Sequence, residues 1–170
     1  ITETYHNDGT PSSYREYERG QKEGVHRTYD LAGKIMTEIF YSQDLLHGRS
    51  RTFSPENNGA LVSEKFYIFG KPTGESLEYD PATNTLLLRS QYSEGKLHGL
   101  HETFFADATP SLRAKYDKGL RNEGYKRWFS PGLQAEDSTY TKDVLDGPWK
   151  SYWGSDQLRE EGEYADGLKT

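Results

Sequence analysis

An aromatic residue, a glycine three positions on, a second glycine four after that, and another aromatic five further: this spacing recurs along the chain. Its cleanest copy is Tyr92-Ser93-Glu94-Gly95-Lys96-Leu97-His98-Gly99, followed by Phe104. Aligned on the first aromatic, the copies fall at Tyr17, Tyr41, Tyr67, Tyr92, Tyr116, Tyr140 and Tyr164, spaced by 24, 26, 25, 24, 24 and 24 residues. The second aromatic gives Tyr5, Tyr29, Phe53, Tyr79, Phe104, Phe129 and Tyr152. Of the 13 tyrosines, 11 occupy these positions, which is too regular for chance. A fixed period of this length marks a repeat architecture, in which each unit finds its stabilising contacts in its neighbours.

Two turns are visible in every repeat. The first lies around Gly20, Asp44, Gly70, Gly95, Gly119, Asp143 and Gly167, residues that tolerate positive φ. The second lies at Asp8-Gly9, Ala32-Gly33, Asn58-Gly59, Thr83-Asn84, Asp107-Ala108, Pro131-Gly132 and Ser155-Asp156. Extra residues are placed at Ser54-Pro55-Glu56-Asn57 and between Leu120 and Glu123. Segments between turns have strand length and are too short for helices. The expected fold is all-β: an elongated single antiparallel sheet of consecutive β-hairpins, about 24 residues per repeat. One β-repeat domain would span 1–170, with six full repeats and partial repeats at both ends. Tyr29 should then meet Ile35 across a hairpin and Phe53 should meet Leu61. At the other turn Tyr17 should lie over Gly24 and Tyr92 over Gly99.

Low aliphatic content (32% hydrophobic overall) combined with 14% aromatics fits a thin sheet of many short strands better than a thick two-layer core. A net charge of −6 argues against nucleic acid, which selects basic surfaces. Without cysteine there is neither disulfide nor thiolate metal site. No run of 18 apolar residues exists to form a spanning helix. The chain starts at Ile1 with neither initiator Met nor signal peptide and stops just inside another copy of the pattern. It reads as a processed or excised segment whose compartment is open, the bacterial cytoplasm being favoured over envelope or periplasm.

Tyr92-Ser-Glu-Gly95-Lys-Leu-His-Gly99, Tyr116-Asp-Lys-Gly119 and Leu158-Arg-Glu-Glu-Gly-Glu-Tyr164-Ala-Asp-Gly167 resemble the bacterial variant of the MORN repeat. The resemblance covers residues 5–170 and implies consecutive hairpins. Proteins carrying the repeat are often labelled YwqK-type antitoxins, which implies neutralising a toxin by protein contact. MORN repeats elsewhere are associated with scaffolding and membrane-lipid contact. Asp44 and Asp143 depart from the pattern at a turn glycine, Pro110 at an aliphatic and Pro148 at a strand start. These put the register near 107–112 and 143–148 in question. Tyr29-Asp30-Leu31-Ala32-Gly33-Lys34-Ile35 also resembles the YD repeat of secreted toxin shells, but only Tyr79-Asp80 echoes it.

No nucleotide-binding glycine loop, nucleophile elbow or zinc-protease helix is present. His98 and His101 are three apart, the wrong spacing for one strand face, and read as turn and surface histidines. Glu38, Glu64, Asp137 and Glu161 recur before the repeat tyrosine, and Arg27, Arg51, Arg127 and Lys150 before the second aromatic. This is the pattern of a solvated charge ladder that also discourages edge-to-edge aggregation. Catalytic, cofactor and metal residues are therefore none. Counted from the second glycine, Trp149, Trp128, Phe105 and Trp153 sit off the aromatic rail at even positions. They should share a face with Phe40 and Phe66. Tryptophan, tyrosine and arginine dominate protein-interface hot spots, so these six are the candidate partner-binding residues. The alternative is local packing. The expected partner is a protein, a toxin with a basic surface being the leading case, with no nucleic acid. A structural or envelope scaffold touching lipid is the alternative, and acidity disfavours anionic membranes.

Overall fold

The computed structural model describes residues 1–170, which form fifteen strands and one 3₁₀ turn at Pro55–Asn57. The chain divides into two compact units, Ile1–Thr85 and Leu86–Thr170. The first carries β1 (Thr2–Tyr5), β2 (Pro11–Glu18), β3 (Gln21–Tyr29), β4 (Ile35–Ser42), β5 (Leu45–Ser54), β6 (Ala60–Ile68) and β7 (Lys71–Tyr79). The second carries β8 (Leu86–Ser93), β9 (Lys96–Phe104), β10 (Pro110–Asp117), β11 (Leu120–Ser130), β12 (Leu133–Thr141), β13 (Val144–Tyr152), β14 (Leu158–Ala165) and β15 (Leu168–Lys169). Strand order equals sequence order in an open antiparallel sheet, the hairpin succession expected from the period.

Each first turn places two successive residues at positive φ: Arg19-Gly20 at 51° and 84°, Lys142-Asp143 at 51° and 68°. Such two-residue turns match the right-handed twist of the flanking strands. Asp143 tolerates this conformation because its carboxylate accepts the Arg121 backbone N–H of the neighbouring hairpin (2.9 Å). Asp44 does the same for Lys22 (2.8 Å). The departures at 44 and 143 thus leave the turn intact. Second turns add a positive-φ residue such as Gly9 or Ala108 after a tight bend, and Asp8 and Asp107 accept the N–H of Thr10 and Thr109 (3.0 Å each). The extra residues after Ser54 form the 3₁₀ turn.

Just past each first turn the ladder skips: three residues of the first strand oppose one of the strand before. Arg15 pairs with His26 and Tyr17 with Lys22, so 23–25 oppose Glu16 alone. The same skip lets Pro148 sit where the bonding to β12 is already interrupted. It also overturns the expected ring-over-glycine pairs, because Tyr17 faces Lys22 and Tyr92 faces Leu97. The glycine pairs with the tyrosine of the following strand instead, Gly24 with Tyr41 and Gly99 with Tyr116. The opposed side chain fills the skip: Val25 N–H donates to Glu16 Oε2 (2.8 Å) and Leu100 N–H to Gln91 Oε1 (3.0 Å). A Cβ on Gly24 would meet Glu16 Oε2 at 1.9 Å, so the second glycine is fixed by its φ of 71° and by this bond. The aromatic–aliphatic pairs are as expected, Tyr29 with Ile35 and Phe53 with Leu61.

One frame differs from the expected one. Glu123, at φ 69°, occupies the place of the second glycine in its repeat and pairs with Tyr140. No residue is inserted before it. The extra residue lies at the end of β11, so Trp128, paired with Gln134, holds the aromatic rail and Phe129 does not. The ladder cation is accordingly Lys126, and Arg127 turns to the other face.

Only Ala114 and Ala135 are buried apolar residues; the rest of the buried set is serine, histidine and glutamate. On one face of each unit charges alternate across the strands. In the first unit Arg27 and Arg51 both bind Glu38, Arg27 at 2.8 Å, and Glu64 follows Arg51 in register. In the second, Arg89 (3.8 Å) and Arg113 (2.7 Å) flank Glu102, and Lys126 meets Asp137 (2.9 Å) before Lys150 meets Glu161 (3.4 Å). Glu38 and Glu102 are buried, which corrects the expectation of a fully solvated ladder. Burial alone would raise the Glu38 carboxyl, but hydrogen bonds from Arg51 and Arg27 outweigh it and hold its pKa below the ordinary value.

Candidate functional site

The opposite face of each unit carries the repeat tyrosines, and its residues line up in rows running across the strands. In the first unit one row is Ser13, Thr28, Thr37, Thr52 and Ser63, small hydroxyl residues paired strand by strand. Thr28 and Thr37 close a hydroxyl–hydroxyl bond of 2.7 Å within it. A parallel row sets His26 between Tyr17 and Tyr41 at ring-centroid distances of 5.4 and 4.6 Å. His26 Nε2–H donates to the Glu16 carbonyl (2.8 Å). In the second unit His101 bonds Ser90 (2.8 Å) and lies edge-on to Tyr116, and burial lowers its pKa. Both histidines are packed components of the tyrosine face, so His101 is not the surface residue expected. His98 is the exposed one, with Nδ1 3.1 Å from Asp117.

Toward the C-terminus the hydroxyl row changes character. The corresponding positions read Thr103, Leu112, Arg127, Glu136, Ser151 and Glu160, each paired with the next. Beside them Trp149 takes the place held by His26, Ser50, His101 and Tyr125 in earlier repeats and packs edge-on to Tyr164 at 6.1 Å. The result is an open groove of about 390 Å³ lined by Arg127, Phe129, Glu136, Trp149, Ser151, Tyr152 and Arg159 among others.

Its electrostatics are uneven. Arg127 and Glu136 are direct cross-strand partners but do not form an ion pair. Glu136 instead accepts from Ser138 Oγ (3.0 Å) and Tyr140 OH (3.5 Å). Glu160 is taken by Lys169 Nζ at 3.0 Å. Arg127 stacks on Phe129 at 5.6 Å, and Arg159 on Trp153 at 4.8 Å. Both guanidinium groups therefore rest on aromatic rings with their donors unspent on carboxylates. Ser151 Oγ and Gln134 Nε2 are buried without a hydrogen-bond partner. Burial, followed by the charge of Glu136, raises the Tyr125 hydroxyl pKa.

The six aromatic residues singled out from the sequence are not gathered on one face. Trp149 is on the tyrosine face of the second unit, where register places it with Ser138 and Gly162. Trp128 holds the aromatic rail, and Phe105 and Trp153 are turn residues beyond β9 and β13, Trp153 more than half exposed. In the first unit Phe40 pairs with Val25 and Phe66 with Arg49, which puts both on the charge-ladder face. Parity counted from the glycine fails for Trp128 because the frame starts at Glu123, and for Trp153 because the ladder shifts between Ser151 and Tyr152. Arg127, Glu136, Ser151 and Arg159 were not anticipated. Their signal is the hydroxyl row Thr28, Thr52, Thr103, legible in the sequence only once Glu123 is set in the glycine frame.

Strands in sequence order, stacked turns and an open groove in place of an enclosed cleft define a β-hairpin repeat module. The model of the MORN repeat variant family matches residues 22–43 and 145–166, which span most of β3–β4 and β13–β14. These matches support a repeat-based binding or scaffold role, and repeat proteins of this kind are generally non-enzymatic. No curated protein matches the chain. Among solved structures, the crystal structure of TarM is similar at 14% identity and a TM-score of 0.21. The similarity covers 89% of this chain and 21% of that one, so the chain spans about a fifth of that structure's length.

Proposed function

We propose that the chain is a non-enzymatic protein-binding module that contacts its partner through the tyrosine face of Leu86–Thr170. The observation that carries this reading is the replacement of the hydroxyl row by Arg127, Glu136, Ser151 and Glu160 beside Trp149. Across the row the sheet gains little from Arg127 and Ser151: the arginine and the glutamate opposite it leave each other unpaired, and the serine hydroxyl has no partner. Aromatic residues and unpaired arginine are the side chains that carry most binding energy at protein interfaces. The net charge of −6 favours a partner whose surface is basic around the groove and speeds its encounter at low salt.

The finer reading is an antitoxin or immunity protein that neutralises a toxin by covering it, which takes its support from the resemblance of the repeats. The test is co-expression with a growth-arresting product of an adjacent gene. Relief by the wild-type chain, lost in a folded Trp149→Ala variant, is the expected result. Absence of any complex, together with flotation on phosphatidylserine vesicles, would overturn it in favour of a lipid-contacting scaffold.

A further inference from the structure

We infer that the groove beside Trp149 reads an extended acidic segment of its partner, with one carboxylate at each end and an apolar residue between. The inference rests on the reading of this groove as a protein-binding site. Arg127 is on β11 and Arg159 on β14, three strand spacings or roughly 14 Å apart at the backbone. Trp149 is on β13, a strand between theirs, and stands one row to the side of the row that joins Arg127, Glu136 and Ser151. An extended peptide rises about 3.3 Å per residue, so side chains four apart are separated by about 13 Å and project to the same side. A segment of the form acidic-x-apolar-x-acidic, laid across the strands, brings its first and last carboxylates to the two arginines. Its central side chain then meets the Trp149 ring from the adjoining row.

The groove's own carboxylates do not compete for these guanidinium groups. Glu136 is engaged by Ser138 and Tyr140, and Glu160 by Lys169. Stacking on Phe129 and Trp153 holds each arginine by its apolar face, which leaves the N–H edge for a carboxylate. Binding would also bring acceptors to the rim of a site where the Ser151 hydroxyl has none.

The experiment is an NMR titration of the full chain, following the three indole N–H signals and the arginine Nε–H signals. The probe is the blocked peptide acetyl-Glu-Ser-Leu-Ser-Glu-amide, with acetyl-Gln-Ser-Leu-Ser-Gln-amide as its uncharged twin. The expected result is saturable movement of the Trp149, Arg127 and Arg159 signals with the glutamate peptide. At least tenfold weaker binding is expected for the glutamine peptide and for the double variant Arg127→Gln, Arg159→Gln. Both arginines are exposed, and the unmoved part of the variant's spectrum reports that it is folded. Equal binding of both peptides would overturn the charge recognition while leaving the groove as a peptide site. No movement of Trp149 with either peptide would overturn the groove itself. Movement of the arginine signals alone, reproduced by inorganic phosphate, would reduce the site to a simple anion contact and overturn the inference.

Discussion

Glu38→Gln tests whether buried ion pairs stand in for a hydrophobic core. Glu38 is 7% exposed and lies between Arg27 and Arg51 on the two neighbouring strands. Each hydrogen bond to a charged group contributes about 1.5–3 kcal/mol net, and these arginine side chains keep 34% and 26% of their surface in water, so the low end applies. Glutamine retains one acceptor, whose neutral bond contributes about 1 kcal/mol. The net cost is then about 2 kcal/mol, or a fall in Tm of about 10 °C for a unit the size of Ile1–Thr85. Amide exchange of β3–β5 and circular dichroism melts measure it; tryptophan fluorescence does not, because Trp128, Trp149 and Trp153 all lie in the other unit. The folded Glu38 pKa lies below its ordinary 4.5. Its stabilisation is therefore full above pH 4.5 and is lost as pH falls through the folded value. The gap between the wild type and the variant should stay constant from about pH 7 to 5 and close below that. A cost under about 0.5 kcal/mol, within the range of ordinary surface substitutions, would refute the buried-pair account. So would a gap that shows no narrowing as pH falls below 4.5, the range in which the wild-type carboxyl takes up its proton.

Gly147→Ala should cost about 2–3 kcal/mol by urea unfolding, because its φ is +116° and a Cβ would press on Thr139 Cβ at 3.2 Å. Gly59→Ala, at φ +75° with open space around it, should cost only about 1 kcal/mol. At the turn, Asp143→Gly should be milder than Asp143→Ala by about 1 kcal/mol: both lose the bonds to Arg121, but only alanine keeps a Cβ at φ 68°. His101 has a pKa lowered by burial, so its contribution is full above its ordinary 6.5 and is lost as pH falls toward the folded value. Tryptophan fluorescence melts of the second unit should show this decline, and His101→Asn should flatten it.

Much of this fold can be read from the chain because a period is a redundant signal. Seven copies of one turn placed the hairpins even where Asp44, Asp143 and Pro148 broke the pattern, since each replacement suits the conformation it must adopt. Pairing across the second turn was legible too, because Tyr29 and Ile35 directly flank a short loop, and the one-residue bulge at Met36 lies beyond the pair. Pairing across the first turn was not. A glycine every four residues reads equally well as a partner for the preceding tyrosine or for the following one. Only the hydrogen bond from Val25 to Glu16 shows that the intervening residues loop out of register. The frame at Glu123 failed for a related reason: Gly124 stands next to it in the sequence and draws the alignment one residue on. That shift exchanged Trp128 with Phe129 and Lys126 with Arg127, which moved the chemistry of the groove onto the wrong face.

The displaced frame also bears on where recognition falls. In a sheet without a deep core, a residue's contribution to stability comes mostly from its two neighbours in the row. Thr28 with Thr37 and Arg113 with Glu102 satisfy that demand. Arg127 and Glu136 stand directly opposite, could pair, and do not. Ser151 sits beside them with a buried, unbonded hydroxyl. Pairing therefore accounts for those two pairs and fails to account for Arg127 with Glu136. A row that forgoes an available ion pair while exposing arginine beside a half-buried tryptophan is better explained by something it meets than by the sheet it belongs to. On that reasoning, Arg127→Thr, which restores the hydroxyl of the first unit's row and removes no hydrogen bond or ion pair of the sheet, should leave the second unit about as stable as before. Partner binding should fall at least tenfold. A loss of stability comparable to that of Glu38→Gln would instead show that the row serves the sheet.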